Sequence, residues 1–213
     1  MFFYISEYFK NNIMKNITIL GSTGTIGENT LNVIAGFPSK FNVFALTANK
    51  SIEKLYRQVL DWRPRYAVLS CTNSAKILSD KLKSHYAIKT EVIGGPESLQ
   101  FVAAHEETDY VMAAIVGGAG LLSSMSAARH GKRILLANKE SLVMSGELFM
   151  NEVKNSGSQL LPIDSEHNAI FQCLDPDYEC FKKPRNIKKI ILTASGGPFR
   201  NWSDEDMKKA TVE

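Results

Sequence analysis

Two acidic side chains in a short polar segment are the clearest candidates for metal chemistry. Asp164 and Glu166 lie two positions apart in the string IDSEHN. In an extended segment both side chains would project from the same face. Two carboxylates form part of a site for a hard cation such as Mg²⁺, which prefers oxygen ligands and keeps several waters. An acidic helix N-terminus, where both carboxylates complement the helix dipole, explains the same spacing equally well.

A lysine between two polar residues is the second chemical candidate. Lys139 stands between Asn138 and Glu140 in the string LLANKES, directly after an apolar run. A lysine in such a loop could hold an anionic or carbonyl-containing substrate. Asn138 is also a favourable helix N-cap residue, so the segment could equally be the capped start of a helix.

A glycine-rich turn near the beginning of the chain points to a dinucleotide. The string GSTGTIG contains Gly21, Gly24 and Gly27, between the apolar run KNITIL and a helical pattern. Glycines permit a tight turn and let the backbone approach a pyrophosphate, whose charge then lies at the helix N-terminus. The alternative is an ordinary turn between a strand and a helix.

The end of the second predicted strand favours NADP over NAD. NAD-binding folds place an acidic residue about 20 residues after the glycines, where it binds the ribose 2′-hydroxyl. Here the chain has Asn49, Lys50 and Ser51 instead, and no acid. A cation, a hydroxyl and the backbone N–H groups of a helix start suit a 2′-phosphate. The alternative for Lys50 is an ordinary solvated lysine.

Alternating strand and helix patterns must position these residues. Strands are predicted at 16–20, 41–46, 66–69, 90–93, 109–113, 133–136, 159–161 and 187–193. Between them, apolar residues fall on one face of predicted helices, as Ile52, Leu55 and Val59 do. This alternation predicts an α/β fold with a doubly wound, mainly parallel, Rossmann-like sheet. The polar-rich segment from Gln159 onward is interpreted as the beginning of a second, α+β catalytic domain.

Composition and charge limit the remaining function classes. The net charge is only +3, and no run of Lys or Arg exceeds two residues, so the sequence does not support nucleic-acid binding. Residues 110–128 carry no charge, but three glycines in their middle favour a strand, a turn and a helix over a membrane span. The three cysteines, an odd number without a CxxC pair, indicate reduced, buried thiols in a cytosolic protein. The spacing of His167, Cys173 and Cys180 fits no usual zinc pattern.

Five motifs occur in one order along the chain: GSTGTIG, MAAIVGGAGL, LLANKESLV, LLPIDSEHNAIFQ and ILTASGGPFR. Together they resemble the 1-deoxy-D-xylulose 5-phosphate reductoisomerase family of the non-mevalonate isoprenoid pathway, over about residues 15–213. The strings LLANKESLV and DSEHNAIFQ are the most specific. Enzymes of that family produce 2-C-methyl-D-erythritol 4-phosphate, with NADPH as reductant and Mg²⁺ or Mn²⁺ to polarise the ketone and the adjacent hydroxyl. The resemblance thus implies a cytoplasmic, homodimeric oxidoreductase with isomerase activity, acting on a small phosphorylated sugar, with no nucleic-acid or membrane partner.

The resemblance also implies roles for individual residues. It implies cofactor contacts by Gly21, Thr23, Gly24, Thr25, Ile26, Asn49, Lys50, Ser51, Asn138 and Glu140. It implies metal binding by Asp164 and Glu166, substrate binding by Lys139, Ser165, Glu166 and Ser195, and a catalytic part for Lys139 and Glu166. The family often has Gly where Asn49 stands, so at that position the contact is expected from the backbone.

The resemblance divides the chain into an extension (1–14), an NADPH-binding domain (15–158) and the start of a catalytic domain (159–213). The family's mobile flap, phosphate-binding side chains, third metal carboxylate and C-terminal helical domain are expected beyond these residues. Two interpretations follow: the chain is part of a complete reductoisomerase, or it is a catalytically inactive NADPH-binding fragment. A semialdehyde or homoserine dehydrogenase would share the nucleotide domain, but the string DSEHNAIFQ argues against it.

Overall fold

A single parallel sheet organises the protein. The computed structural model describes residues 14–191, 195 and 197–211. Its strands are β1 (Lys15–Leu20), β2 (Phe41–Ala48), β3 (Tyr66–Leu69), β4 (Glu91–Gly94), β5 (Tyr110–Ala113), β6 (Arg133–Leu136) and β7 (Gln159–Pro162). All six neighbouring pairs are parallel, in the order β4-β3-β2-β1-β5-β6-β7. Seven predicted strands are therefore confirmed, with ends that differ by at most two residues.

Helices connect the strands and cover both faces of the sheet. They are α1 (Thr25–Ala35), α2 (Ile52–Trp62), α3 (Thr72–Leu82), α4 (Pro96–Ala104), α5 (Leu121–Arg129), α6 (Glu140–Ser156), α7 (Ser165–Gln172) and α8 (Asp204–Met207). Two short 3₁₀ helices, Gly117–Gly120 and Gly197–Phe199, complete the described elements. The helix α6 is kinked at Ser145, where the backbone leaves helical geometry.

Two apolar cores lie on opposite faces of the sheet. One packs α1, α2 and α3 through residues such as Leu31, Leu55 and Leu78. The other packs α4, α5 and α6 through residues such as Val102 and Phe149. Because the strands β1, β2, β3 and β5 are mostly buried on both faces, they appear in the sequence as nearly continuous apolar runs. The predicted doubly wound sheet is confirmed by this arrangement.

The order of the sheet locates the site. The chain runs outward from β1 through β2, β3 and β4, and then returns to pair β5 with the other edge of β1. In open α/β sheets, ligands bind beyond the carboxyl ends of the strands where the order reverses. The glycine turn after β1 and the loop after β5 lie at that position.

The described residues after α7 carry little regular structure apart from a 3₁₀ turn and α8. Over 187–191 the predicted strand is wrong, and residues 192 and 193 lie outside the described part of the chain. Ile190 and Ile191 are 55% and 73% exposed. A β-rich string forms a strand only where a neighbour supplies hydrogen bonds and a surface to pack on. The proposed domain boundary at 158/159 precedes β7. Because β7 is hydrogen-bonded to β6, the first element after that boundary still belongs to the main sheet.

The uncharged segment 110–128 forms β5, the first 3₁₀ helix and most of α5. Within the described ranges, no helix combines the length and the apolar character that a membrane crossing requires.

Candidate active site

The glycine turn after β1 is held in a shape that only glycine permits at two positions. Gly21 has φ +82°, and an added Cβ would lie 3.0 Å from the carbonyl oxygen of Ala114 after β5. An added Cβ at Gly27 would overlap the carbonyl oxygen of Gly21 and the Cα of Ser22. At Gly24, by contrast, the nearest atom would be 3.5 Å away. The turn is therefore closed on its inner side and open at Gly24, where a ligand could approach the backbone.

Hydrogen bonds from β2 and α2 fix the inner side of this turn. The N–H of Gly21 donates to the hydroxyl of Thr47 at 2.9 Å, and the hydroxyl of Ser22 donates to Gln58 at 2.7 Å. The amide of Gln58 donates in return to the carbonyl of Ser22 at 2.9 Å. Ser22 is fully buried, so its side chain supports the turn and is not available to a ligand.

The first turn of α1 is the exposed part of this site. Gly24 is the N-cap and makes no side-chain capping bond, and Gly24, Thr25 and Ile26 are all exposed. The first N–H groups of a helix have no partner within it, and together with the dipole they favour an anion. The arrangement fits a dinucleotide pyrophosphate, because open backbone donors face solvent above a glycine cradle.

The residues predicted to hold a 2′-phosphate lie at the carboxyl end of β2. Asn49, Lys50 and Ser51 are exposed, and Ser51 is the N-cap of α2 without a side-chain capping bond. The pKa of the Cys71 thiol is lowered, mainly by hydrogen bonding to Ser74, with a contribution from the charge of Lys50. Lys50 therefore lies near the carboxyl end of β3 as well, at the same edge of the sheet as the glycine turn.

A cleft of about 290 Å³ lies beside the turn, at the ends of β5, β6 and β7. Seven of its lining residues were predicted as site residues from the sequence, and the other four are apolar. Its lining is Ile26, Ala114, Ile115, Val116, Ala137, Asn138, Lys139, Glu140, Asp164, Ser165 and Glu166. The predicted residues that do not line it are Gly21, Thr23, Gly24, Thr25, Asn49, Lys50, Ser51 and Ser195.

Asn138 has its side chain turned into the protein. Its amide nitrogen donates to the carbonyls of Ile115 and Gly117, the latter at 2.8 Å, and its oxygen accepts from the N–H of Ser141 at 3.0 Å. The residue is only 2% exposed. This is the capping geometry that the sequence allowed, combined with a link to the loop after β5. Both amide hydrogens are used internally, so a cofactor contact at Asn138 would have to come mainly from its backbone.

Asp164 and Glu166 begin helix α7 rather than lying in an extended segment. Asp164 is the N-cap, and its Oδ1 accepts from the backbone N–H and the ring Nδ1 of His167, at 3.1 and 2.8 Å. Glu166 is in the first turn, and its Oε2 accepts from the Ser165 hydroxyl at 3.0 Å. The structure thus has the helix N-terminal placement that was one of the two interpretations, yet both carboxylates still line the cleft.

Both carboxylates are held in the charged form that a cation requires. Burial raises the pKa of Asp164, but the hydrogen bonds from His167 and the charges of His167 and Lys139 outweigh it and lower that pKa overall. The backbone N–H of Glu166, the Ser165 hydroxyl and the charge of Lys139 lower the pKa of Glu166. The donor set therefore fits two oxygen ligands of a hard divalent cation. Because His167 binds Oδ1 of Asp164, a cation would use Oδ2 or displace His167.

Lys139 links the two sides of the cleft. Its Nζ lies 4.0 Å from Oε2 of Glu166, and both side chains are about half exposed. Ser195, in contrast, is exposed, and the only bond described for it is a 3.4 Å contact from the N–H of Gly197. Across the described residues, no group of three His, Cys, Asp or Glu side chains is close enough to hold a metal ion.

Sequence reasoning missed several residues that support this site. Thr47 and Gln58 hold the glycine turn, Ile115 and Val116 line the cleft, and Lys54 contacts the carbonyl of Thr23 at 3.3 Å. The glycines after Val116 predicted a turn, but they did not predict that the loop before it lines the cleft. Thr47, Lys54 and Gln58 belong to no local motif, because their contacts are with residues 26 to 36 positions away.

The sequence matches two models of one protein family. Residues 17–146 match the family model described as 1-deoxy-D-xylulose 5-phosphate reductoisomerase, and residues 160–213 match the model of that enzyme's C-terminal domain. The curated reductoisomerase of Haemophilus influenzae is 50% identical over 204 residues, which are 93% of this chain and 51% of that protein. That of Methylobacillus flagellatus is 52% identical over 199 residues, 93% of this chain and 50% of that protein. The chain therefore spans about half the length of the curated relatives it matches.

Solved structures of reductoisomerases have a similar fold over about half of their length. A DOX-P reductoisomerase in complex with NADPH, fosmidomycin and magnesium has a TM-score of 0.78 and 41% identity, over 93% of this chain and 50% of the other. The reductoisomerase of Zymomonas mobilis in complex with NADPH has a TM-score of 0.77 and 39% identity, over 92% of this chain and 49% of the other.

Proposed function

The chain belongs to the 1-deoxy-D-xylulose 5-phosphate reductoisomerase family, and from that premise we propose that it supplies the NADPH site and part of the metal and substrate site of such an enzyme. The reaction is the conversion of 1-deoxy-D-xylulose 5-phosphate into 2-C-methyl-D-erythritol 4-phosphate in isoprenoid biosynthesis. One observation carries the proposal: the cleft places Lys139, Asp164, Ser165 and Glu166 beside Ile26, an exposed residue in the first turn of α1. A metal-dependent reduction needs hydride donor, cation and substrate in one place.

Each group has a part that follows from its chemistry. Bound NADPH supplies the hydride, and bound Mg²⁺ or Mn²⁺ supplies Lewis-acid polarisation of the substrate's ketone and hydroxyl oxygens. Asp164 and Glu166 bind the cation as carboxylates. The ammonium of Lys139 attracts the anionic sugar and orients its oxygen atoms, and the hydroxyl of Ser165 donates to them. Ser195 is proposed as a further substrate contact.

In this proposal, residues at the carboxyl ends of the strands would hold the cofactor. The backbone of Thr23, Gly24, Thr25 and Ile26, with Gly21 shaping the turn, holds the pyrophosphate, and Gly24 contributes close approach because its N–H donates to the carbonyl of Gly21. Lys50, Ser51 and the backbone at Asn49 hold the 2′-phosphate, and Asn138 and Glu140 border the nicotinamide. The open side of the turn at Gly24 supports the pyrophosphate position. The absence of an acid at residues 49–51 supports the choice of NADPH over NADH.

Assembly and location follow from the family resemblance, and we extend the proposal to a cytoplasmic homodimer without nucleic-acid or membrane partners. All three cysteines are free thiols, which is typical of a reducing compartment. The predicted burial of these thiols is wrong, because Cys173 is exposed and Cys71 and Cys180 are half-buried. Val143 and Leu148 on α6 are 85% and 66% exposed, and exposed apolar surface of this kind is common at protein interfaces. Light scattering during size-exclusion chromatography would measure the mass in solution.

The alternative proposal is a catalytically incomplete NADPH-binding fragment. It is favoured by the two-carboxylate donor set, since no third acidic, histidine or cysteine side chain joins it among the described residues. Turnover by the 213-residue protein decides between the two: NADPH oxidation is followed at 340 nm with 1-deoxy-D-xylulose 5-phosphate and Mn²⁺. Losing one preorganised interaction often costs about 10²–10³ in rate, so a site lacking several should be near background. Binding of NADPH without turnover supports the fragment, and turnover that Glu166→Gln abolishes supports the enzyme.

A further inference from the structure

A lysine outside the predicted site contacts the glycine turn directly. Lys54 lies in the first turn of α2, and its Nζ donates to the carbonyl oxygen of Thr23 at 3.3 Å. The same nitrogen donates to Oε1 of Glu28 at 2.8 Å, so it joins the turn, α1 and α2. The side chain is 59% exposed and therefore accessible to solvent and ions.

Glu28 creates an electrostatic difficulty for a dinucleotide site. It is the only acidic residue in the first turn of α1, the helix whose exposed N–H groups fit a pyrophosphate. A carboxylate there is favourable for the isolated helix, because it complements the dipole. Once an anionic ligand occupies the same helix end, however, the carboxylate repels it. Lys54 is the cation that pairs with this carboxylate.

We propose that Lys54 is a positioning residue of the dinucleotide site: it holds the glycine turn through the Thr23 carbonyl and neutralises Glu28, so that an anionic cofactor binds. This rests on the proposed NADPH site, which it deepens. Lys54 acts through Glu28 and Thr23, and the cofactor phosphates themselves are bound by the backbone of the turn. The ligand class is a dinucleotide with charged phosphates.

An ordinary surface salt bridge between two helices is the competing explanation. Such exposed pairs contribute little to stability. Arg129 and Glu152 form one on the other face of the sheet, where Nε of Arg129 donates to Oε1 of Glu152 at 2.9 Å between α5 and α6. Exposure is similar, at 57% for Arg129 and 59% for Lys54. What distinguishes Lys54 is its second bond, to the backbone of the proposed phosphate turn.

A double-mutant cycle with NADPH as the probe tests the proposal. The proteins are the parent, Lys54→Met, Glu28→Gln, the double variant, and Arg129→Met as the matched control. NADPH affinity is measured by fluorescence titration at low and at high salt, and a thermal melt of each variant verifies folding. Lys54→Met should weaken binding by about 3–10-fold at low salt, and high salt should narrow the gap, because exposed charges are screened beyond about 10 Å at 0.1 M.

The Glu28→Gln background tests whether Lys54 acts by neutralising Glu28. In the Glu28→Gln protein the carboxylate charge is already gone, so adding Lys54→Met should change the affinity by less than about twofold, a coupling of the kind that contacting residues show. Arg129→Met should match the parent. Equal losses in both backgrounds would mean that Lys54 acts independently of Glu28, either through the Thr23 carbonyl or by binding phosphate itself, and would overturn the neutralising role. Unchanged affinity in Lys54→Met would overturn the proposal while the NADPH site stands, whereas no binding by the parent would overturn both.

Discussion

Asn138 donates a 2.8 Å hydrogen bond to the carbonyl of Gly117, and this bond joins the loops that follow β5 and β6. The same amide also donates to Ile115, while its oxygen accepts from Ser141 at the start of α6. The cleft is lined by residues of both loops. The buried carboxamide therefore helps to fix the relative position of the two walls, together with backbone bonds from Ala137 and Asn138 to the carbonyl of Ala113.

Removing that carboxamide should destabilise the protein. In Asn138→Ala, the carbonyls of Ile115 and Gly117 and the N–H of Ser141 lose their partner, and a buried polar group left unsatisfied costs about 1–3 kcal/mol. We expect urea unfolding to show a loss of that size. The matched control is Asn151→Ala, at an exposed position on α6, the helix that follows Asn138. Equal stability of the two variants would show that the link between the loops carries no free energy.

Gly120 should be intolerant of any side chain, because it packs against Asn138. A Cβ there would lie 2.5 Å from Nδ2 of Asn138 and 2.7 Å from the carbonyl oxygen of Ile115. Gly120→Ala should therefore lower the thermal midpoint and weaken NADPH binding together. Gly146 in α6 offers a control with no atom within 4 Å of an added Cβ, and Gly146→Ala should be neutral or stabilising by up to about 1 kcal/mol. A neutral Gly120→Ala would contradict the close packing.

The sheet was predictable because its signal is local. The apolar runs that became β1, β2, β3 and β5 are mostly buried on both faces, and the helices between them have one apolar face each, so neighbouring residues already contain the pattern. The glycine turn was predictable for the same reason. The predicted strand at 187–193 is wrong over 187–191, because the described residues provide no neighbouring strand at that point.

The site was predictable in its residue types but not in its orientations. The inward turn of Asn138 depends on carbonyls 21 and 23 positions away, and no motif around LLANKES reveals them. The start of α7 at Asp164 was one of two interpretations, and it was decided by the capping bond from the N–H of His167. Lys54 was missed because its partners, Thr23 and Glu28, lie on another helix and its preceding turn.

Lys50 should determine the preference between the two nicotinamide cofactors. A charge-assisted bond to a phosphate contributes about 1.5–3 kcal/mol, so Lys50→Ala should weaken NADPH binding by about tenfold or more. NADH lacks the 2′-phosphate and should bind parent and variant alike. Fluorescence titration with both cofactors measures this, with Lys89→Ala as a control at an exposed lysine just before β4. A parent with equal affinities, or a preference that survives Lys50→Ala, would exclude the assignment.

Asp164 and Glu166 should bind a divalent cation weakly, because two carboxylates leave most coordination positions to water. Millimolar Mn²⁺ should raise the thermal midpoint of the parent modestly, with a free-energy gain that follows RT ln(1 + [L]/Kd). Asp164→Asn and Glu166→Gln should each lose most of that gain at nearly constant volume. Because Asn caps a helix about as well as Asp, the cap of α7 should survive in Asp164→Asn, and its response to Mn²⁺ should report on metal binding. If parent and variants respond equally to Mn²⁺, the two acids serve only the helix N-terminus.

The position of β1 in the middle of the sheet also affects the chain while it is being synthesised. Its first neighbour, β2, pairs Phe41 with Lys15, but its second, β5, pairs Tyr110 with Ile17, 93 positions away. A ribosome adds about 5–20 residues per second, so one edge of β1 waits roughly 5–20 s for its partner. The open edge of an apolar strand is a template for pairing with other chains. Nascent chains that stop before β5 should therefore associate with one another or require a chaperone, whereas chains that include Ala113 can close that edge themselves.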